Sequence, residues 1–141
     1  MKFDYLKQPN FRDPNKPWIS RPVIPVALHY KDKRVKVFAL VDSGADISLF
    51  HASLGQALGI DVTGGRKMTF FGISEGAGVE VYMHTIDLEV VGDSTSFEME
   101  VGFTDSKGVG AILGQAGFFD HFHIKFERDK ERVELTTASL H

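Results

Sequence analysis

Short apolar runs separated by polar turns dominate the chain from residue 23 onwards. Residues 23–30 and 35–41 are rich in Val, Ile, Leu and aromatic residues, and the charged stretch Lys31-Asp32-Lys33-Arg34 separates them. This pattern predicts a β-hairpin. Further strands are predicted at residues 67–71, 79–91, 97–103 and 111–114, and two last strands on either side of residues 129–131.

Two segments have helical spacing instead. Between Ile47 and Leu58 the apolar residues fall on one helical face, and Gly59 is placed to end a helix, so a short helix is predicted at residues 52–58. Residues 115–122 are predicted to form one or two helical turns. About eight short strands with two brief helices indicate a mainly β protein, built as a closed or partly closed barrel.

The first 21 residues have a different character. Pro9, Pro14 and Pro17 lie among polar groups, which predicts an extended arm or tail rather than a packed element. We therefore expect an N-terminal arm at residues 1–21 and one folded domain at residues 22–141. A chain of this length buries roughly 70% of the surface that it exposes when unfolded, enough for a single core.

Composition narrows the possible functions. Hydrophobic residues make up 43% and charged residues 25% of the chain, as in ordinary globular proteins, and the net charge of −3 gives no reason to expect a nucleic-acid or anionic-membrane partner. The absence of cysteine excludes disulfides, thiolate catalysis and cysteine-based zinc sites. No run approaches the ~18 apolar residues of a membrane helix, and residues 1–15 lack an apolar signal core, so we expect a cytoplasmic protein.

One acidic residue stands out from this background. Asp42 directly follows an apolar strand and precedes Ser43 and Gly44. This arrangement is typical of a strand that ends in a sharp turn with its carboxylate facing inward, where glycine tolerates positive φ or the close approach of another backbone. Asp-Ser-Gly turns without any function are common as well, so the tripeptide alone leaves both interpretations open.

Three features in a fixed order make the chain resemble the retropepsin family of aspartic proteases. The first is Leu-Val-Asp-Ser-Gly-Ala-Asp at residues 40–46. The second is a glycine-rich hairpin at residues 70–78, where the family has its flap, and the third is Ala-Ile-Leu-Gly at residues 111–114. The last two strands resemble the final hairpin of cellular and bacterial members. The resemblance covers roughly residues 22–135.

The resemblance implies a retropepsin-like barrel and an aspartic endopeptidase, with Asp42 as the catalytic residue. Two carboxylates ~3 Å apart cannot both ionise, so they share one proton and supply both a base and an acid, and aspartic proteases are the standard example. Because the motif occurs once, the second Asp42 would come from another copy of the chain in a homodimer. No metal or other cofactor is implied.

The resemblance also assigns the surrounding residues. Ser43 and Gly44 would support the active-site loop, and a flap would close over a peptide or protein substrate. The residues expected to contact the substrate are Ala45, Asp46, Ile112 and, in the flap, Gly72, Ile73 and Ser74. Two positions depart from the retroviral members: Gln115 stands where many have arginine paired with the acid at position 46, and Ser74 and Glu75 occupy a flap tip that is otherwise mostly glycine and apolar.

Three other motifs in the sequence are incomplete. Residues 72–76 match the G-x-S-x-G pattern of serine hydrolases, but a strand rather than a helix is predicted to follow. His121 and His123 lie two apart without a third ligand at recognisable spacing, and residues 108–114 lack the lysine of a phosphate-binding loop. The main alternative to the protease is a catalytically silent domain of the same fold that binds peptides or mediates dimerisation.

Overall fold

The computed structural model describes residues 1–70, 78–93 and 95–138. These residues form one short α-helix and twelve strands. In chain order they are β1 (Lys2–Asp4), β2 (Leu6–Pro9), β3 (Trp18–Arg21), β4 (Val23–Tyr30), β5 (Lys33–Val41), β6 (Leu49–His51), α1 (Ala52–Ala57), β7 (Arg66–Phe70), β8 (Val79–Val90), β9 (Ser96–Thr104), β10 (Ile112–Leu113), β11 (Phe122–Glu127) and β12 (Arg132–Thr137).

Six of these strands close into a mixed barrel. Their order is β4-β5-β10-β6-β9-β8, and pairing between β4 and β8 completes the ring, while β7 continues from β8 at the side. Two of the pairings are parallel, β5 with β10 and β6 with β9. The predicted mainly β barrel is therefore confirmed, and it is closed.

The barrel interior is filled by apolar side chains at alternating positions along the strands. Along the second half of β8, Ile86, Leu88 and Val90 are buried in the main core, whereas Asp87 between them is exposed, the period of two that a pleated strand imposes. The largest side chains with almost no exposure include Phe50, Phe103, Phe118 and Leu113. Since Leu113 belongs to β10, which pairs with the end of β5, the core extends beneath the strand pair that leads to Asp42.

The helix α1 lies close to its predicted position. His51 caps its start, with the ring Nδ1 accepting a hydrogen bond from the Ser53 backbone N–H at 3.1 Å. Gly59 follows with φ of +77°, a conformation that ends a helix and favours glycine. The three residues before the helix form strand β6, so the helical spacing that begins at Ile47 includes a strand that the sequence did not reveal.

The second predicted helix is interrupted. Residues Gln115–Phe119 include a helical turn, but Ala116 has extended backbone and Gly117 has φ of +87°. Asp120 Oδ2 accepts a hydrogen bond from the Gly117 N–H at 3.0 Å. The turn places Phe118 in the core without any exposure, where its ring packs against that of Phe122 with the centroids 5.1 Å apart.

The N-terminal arm is extended, but the prediction that it is not packed is wrong. Strand β1 pairs with β12, with Phe3 opposite Val133, and Phe3 packs against the core. Strands β2 and β3 form an antiparallel hairpin with one another. The division of the chain at residue 21 stays a prediction. No helix among the described residues is both long and apolar enough to cross a membrane.

Candidate active site

Asp42 lies at the end of a barrel strand whose neighbour holds it in place. It follows the last residue of β5, where Leu40 and Val41 are paired in parallel with Ile112 and Leu113 of β10. The Asp42 N–H donates to the Leu113 carbonyl at 3.0 Å and extends this pairing by one residue. The carboxylate is therefore attached to a backbone that belongs to the barrel rather than to a free loop.

A tight turn orients the Asp42 carboxylate. The Gly44 N–H donates to Asp42 Oδ1 at 2.9 Å, and the Ala45 N–H donates to the Asp42 carbonyl at 3.2 Å. Gly44 does not have the positive φ that the sequence suggested. Asp42 is half-buried, whereas Ser43 and Gly44 are exposed. Within the described residues Oδ2 accepts no hydrogen bond, so one carboxylate oxygen is held and the other remains available.

Gln115 braces the turn from the other side. Its side-chain Nε2 donates to the Ser43 carbonyl at 2.8 Å, and its backbone N–H donates to the Ala45 carbonyl at 2.8 Å. The Ala116 N–H adds a third bond, to the Asp46 carbonyl at 2.9 Å. Gln115 therefore holds the loop through its side-chain amide and its backbone N–H, both of which bond to backbone carbonyls. It does so without an ion pair to the Asp46 carboxylate.

Behind the turn, Ser48 and Gly114 connect the same two segments in the core. Ser48 is fully buried, and its Oγ accepts a hydrogen bond from the Gly114 N–H at 3.0 Å. A Cβ at Gly114 would lie 2.3 Å from the Ile47 carbonyl oxygen, so only glycine permits this approach. Ser48 could not be predicted from the sequence, because a lone serine after an isoleucine belongs to no recognisable motif.

The turn opens onto a cleft of about 380 Å³. Three of the residues predicted to contact substrate line it beside Asp42, namely Ala45, Asp46 and Ile112. Its remaining lining, apart from Gly44, was not predicted and is mainly apolar: Ile47, Leu49, Phe70, Gly108 and Val109. A cleft with apolar walls and a carboxylate suits an extended peptide with apolar side chains.

The other predicted contacts, Gly72, Ile73 and Ser74, lie outside the described residues, and so does Glu75. Their flanking strands are described: Phe70 of β7 is paired with Val79 of β8, and Phe70 lines the cleft. Phe70, the last described residue before this segment, therefore lies beside the cleft. The strand β8 that follows does not supply the helix that a serine-hydrolase elbow requires.

One cluster of charged side chains lies in the barrel wall away from the cleft. His29 Nε2 lies 2.6 Å from Glu89 Oε1, and Arg34 Nε lies 3.2 Å from the same oxygen. Hydrogen bonds from Arg34 and then His29 lower the pKa of Glu89. Arg34 is eight residues from Asp42 along β5, about 26 Å away, so this cluster does not act on the cleft.

The histidines form no metal site among the described residues, where no three His, Asp or Glu side chains come together in a way that could hold a metal ion. His121 instead stacks on Phe97, with the ring centroids 3.7 Å apart and the planes 5° from parallel.

Comparison with known families identifies the chain. The family model described as aspartyl protease matches residues 26–116, which include Asp42, the cleft and Gln115. The chain belongs to this aspartyl protease family. None of the curated proteins with which the sequence was compared matches it.

Solved structures share the fold. A retropepsin-like aspartic protease from Rickettsia conorii superimposes with a TM-score of 0.63 at 14% identity, over 94% of this chain and 97% of that one. The retroviral protease-like domain of Ddi1 from Leishmania major gives 0.54 at 19% identity, over 83% and 89%. The fold of this chain is therefore retropepsin-like.

Proposed function

We propose that this protein is an aspartic endopeptidase that hydrolyses peptide bonds with a water molecule activated by two Asp42 carboxylates, one from each subunit of a homodimer. The observation that carries the proposal is the environment of Asp42. Its carboxylate faces a cleft at the end of a barrel strand, with one oxygen held by Gly44 N–H at 2.9 Å. Membership of the aspartyl protease family supports the same reaction.

A second copy is needed because the chemistry takes two carboxylates. One removes a proton from water as the oxygen attacks the peptide carbonyl, and the other donates a proton to the carbonyl oxygen. No second carboxylate is hydrogen-bonded to Asp42 in the described part of the chain, and the Asp-Ser-Gly motif occurs once in the sequence. Two-fold pairing of the chain would bring the same loop from each copy to one axis.

The residues around Asp42 have supporting roles in this proposal. Ser43 and Gly44 keep the loop in shape, Ala45, Asp46 and Ile112 contact the substrate, and Gly72, Ile73 and Ser74 cover it. A bound peptide would lie extended in the cleft, with alternate side chains entering the apolar pockets. The apolar walls at Ile112, Leu49 and Phe70 favour apolar side chains on either side of the cleaved bond.

The Asp42→Asn variant tests the catalytic role. It keeps the size of the side chain and the Oδ1 acceptor but removes the ionisable group, so cleavage of a peptide library should be abolished while the melting temperature stays close to wild type. The exposed carboxylate Asp105, which does not line the cleft of Asp42, supplies the matched control, Asp105→Asn. Wild-type turnover by Asp42→Asn would rule the mechanism out.

Mixing the two proteins tests the shared site. Wild type held constant and titrated with excess Asp42→Asn should lose activity as mixed dimers form, whereas excess Asp105→Asn should not inhibit. Wild-type activity that is unaffected by a large excess of Asp42→Asn would show that each site is complete within one chain. Peptide binding without cleavage by the wild type would favour the silent peptide-binding domain instead.

A further inference from the structure

The large apolar side chains on the surface are concentrated near the N-terminus. Six are exposed among the described residues, and four of these lie within the first 18 positions: Met1, Leu6, Phe11 and Trp18, followed by Phe38 and Phe126. Phe11 is 94% exposed and Trp18 is 61% exposed. Single exposed apolar residues are ordinary, but a group of them marks an interaction surface.

These aromatic residues are presented by an ordered hairpin, which we call the N-terminal hairpin (residues 6–21). Strands β2 and β3 pair only with each other among the described strands, and Pro9 is opposite Trp18. The connecting loop is closed by a hydrogen bond from Asn10 N–H to the Pro17 carbonyl at 2.8 Å. Asp13 Oδ1 also accepts a bond from the Asn15 N–H at 2.9 Å. Phe11 is therefore held out into solvent by a built loop.

The hairpin surface continues into the candidate active site. A groove of about 470 Å³ is lined by Gln8 and Pro9 of the hairpin and by Phe38 of β5. It shares Gly108 and Ile112 with the cleft that contains Asp42. A partner that covers the groove from Ile112 outwards would therefore also contact Gln8 and Pro9 of the hairpin.

The charges of the hairpin are opposite to those of the rest of the chain. Residues 6–21 contain four basic residues and one acidic residue, a net charge of +3, so the remaining residues carry −6 of the chain's total of −3. The hairpin of one copy is thus attracted to the body of another, and such complementarity steers association and sets orientation.

We propose that the N-terminal hairpin is a contact surface for a second copy of this chain, with Trp18 and Phe11 as its apolar anchors. The inference rests on the proposed function, because the shared site requires a second copy beside the Asp42 cleft. A substrate peptide is the weaker occupant, since Phe11 and Trp18 do not line the groove that joins the cleft. The hairpin lies beside this cleft, carries exposed apolar side chains and is opposite in charge to the rest of the chain. Such a surface fits a two-fold partner.

The test measures dimer affinity by sedimentation equilibrium in wild type, Phe11→Ala, Trp18→Ala and the double variant. Phe126→Ala on β11 is the matched control, because Phe126 is also an exposed aromatic residue, at 40%. We expect the dimer dissociation constant to rise about tenfold or more in the double variant and to stay unchanged in Phe126→Ala. Since Phe11 is almost fully exposed, Phe11→Ala should leave the melting temperature close to wild type.

Activity provides the second readout. The double variant should lose specific activity at low protein concentration and recover it at high concentration, with KM measured there equal to wild type. An unchanged dissociation constant would overturn the proposal, and a raised KM with unchanged dimerisation would assign the hairpin to substrate binding. A second pair, Arg12→Glu with Lys16→Glu, should weaken the dimer through charge alone, and a dimer of wild-type strength would contradict the role of charge.

The outcomes also separate this inference from the proposed function. Wild type that is active as a monomer at every concentration would end both. Wild type that dimerises and is inhibited by Asp42→Asn, while the hairpin variants dimerise normally, would end only the role of the hairpin.

Discussion

Replacing Ser48 with alanine tests whether the buried connection behind Asp42 holds the active-site loop. Ser48 is fully buried, and its Oγ accepts the Gly114 N–H at 3.0 Å, while Gly114 is itself buried. Ser48→Ala removes the acceptor and leaves a buried N–H without a partner. Such an orphaned group costs about 1–3 kcal/mol.

That cost can be converted into a melting temperature. A chain of this length unfolds with an entropy of roughly 0.3 kcal/mol/K, so each kcal/mol lowers the melting temperature by about 3 °C, and the variant should melt roughly 3–10 °C below wild type. Thermal unfolding should be followed by circular dichroism at one fixed protein concentration, because dimerisation would raise the melting temperature by mass action.

The control is Ser96→Ala, which removes an exposed hydroxyl at the start of β9 and should change stability by less than about 0.5 kcal/mol. Activity is the second measurement. Gly114 follows Leu113, whose carbonyl accepts the Asp42 N–H, so kcat should fall in Ser48→Ala even well below its melting temperature. Stability and kcat equal to those of Ser96→Ala would refute this reasoning.

Two further predictions concern the loop brace and the barrel wall. Gln115→Ala removes the 2.8 Å bond to the Ser43 carbonyl at an exposed site, so we expect kcat measured with a peptide substrate to fall severalfold while the free energy of unfolding drops by only about 0.5–1.5 kcal/mol; unchanged kcat would mean that the backbone bonds suffice. Hydrogen bonds from Arg34 and His29 lower the pKa of Glu89 below its ordinary value of 4.5. The stability that ionised Glu89 contributes is therefore fully present above pH 4.5 and is lost as the pH falls through the lower pKa of the folded state. Glu89→Gln should accordingly destabilise the protein at pH 7 and lose less stability than wild type on acidification. Urea unfolding at several pH values measures this, and a constant difference in unfolding free energy between the two proteins would contradict it.

The barrel could be predicted where the sequence has strong period-two patterning. The hairpin of β4 and β5 was found to within two residues because both strands carry long apolar runs around a charged turn. Strand β6 was missed because its three residues sit in helical phase with α1 and are defined by pairing with β9 and β10, far away in the chain. Strands β1 to β3 were missed because their residues are largely polar and only pairing makes them strands.

The site was predictable to a similar extent. Asp42 and the cleft residues Ala45, Asp46 and Ile112 follow from the ordered motifs. Ser48 and the bond from Gln115 to Ser43 could not be predicted, since they join residues 66 and 72 positions apart and depend on how closely two backbones approach. The position of Gln115 directly after the Ile-Leu-Gly element was the available signal, but it indicated a missing charge rather than a hydrogen bond.

The parallel pairing of β5 with β10 has a consequence for the order in which parts of the protein fold during synthesis. Leu40 and Val41 cannot find Ile112 and Leu113 until a loop of about seventy residues has closed, and contacts so far apart form slowly and late in folding. A chain still emerging from the ribosome therefore has its aspartate but no brace for it. Under the proposed function, this order of folding delays any peptide cleavage until nearly the whole barrel has been synthesised.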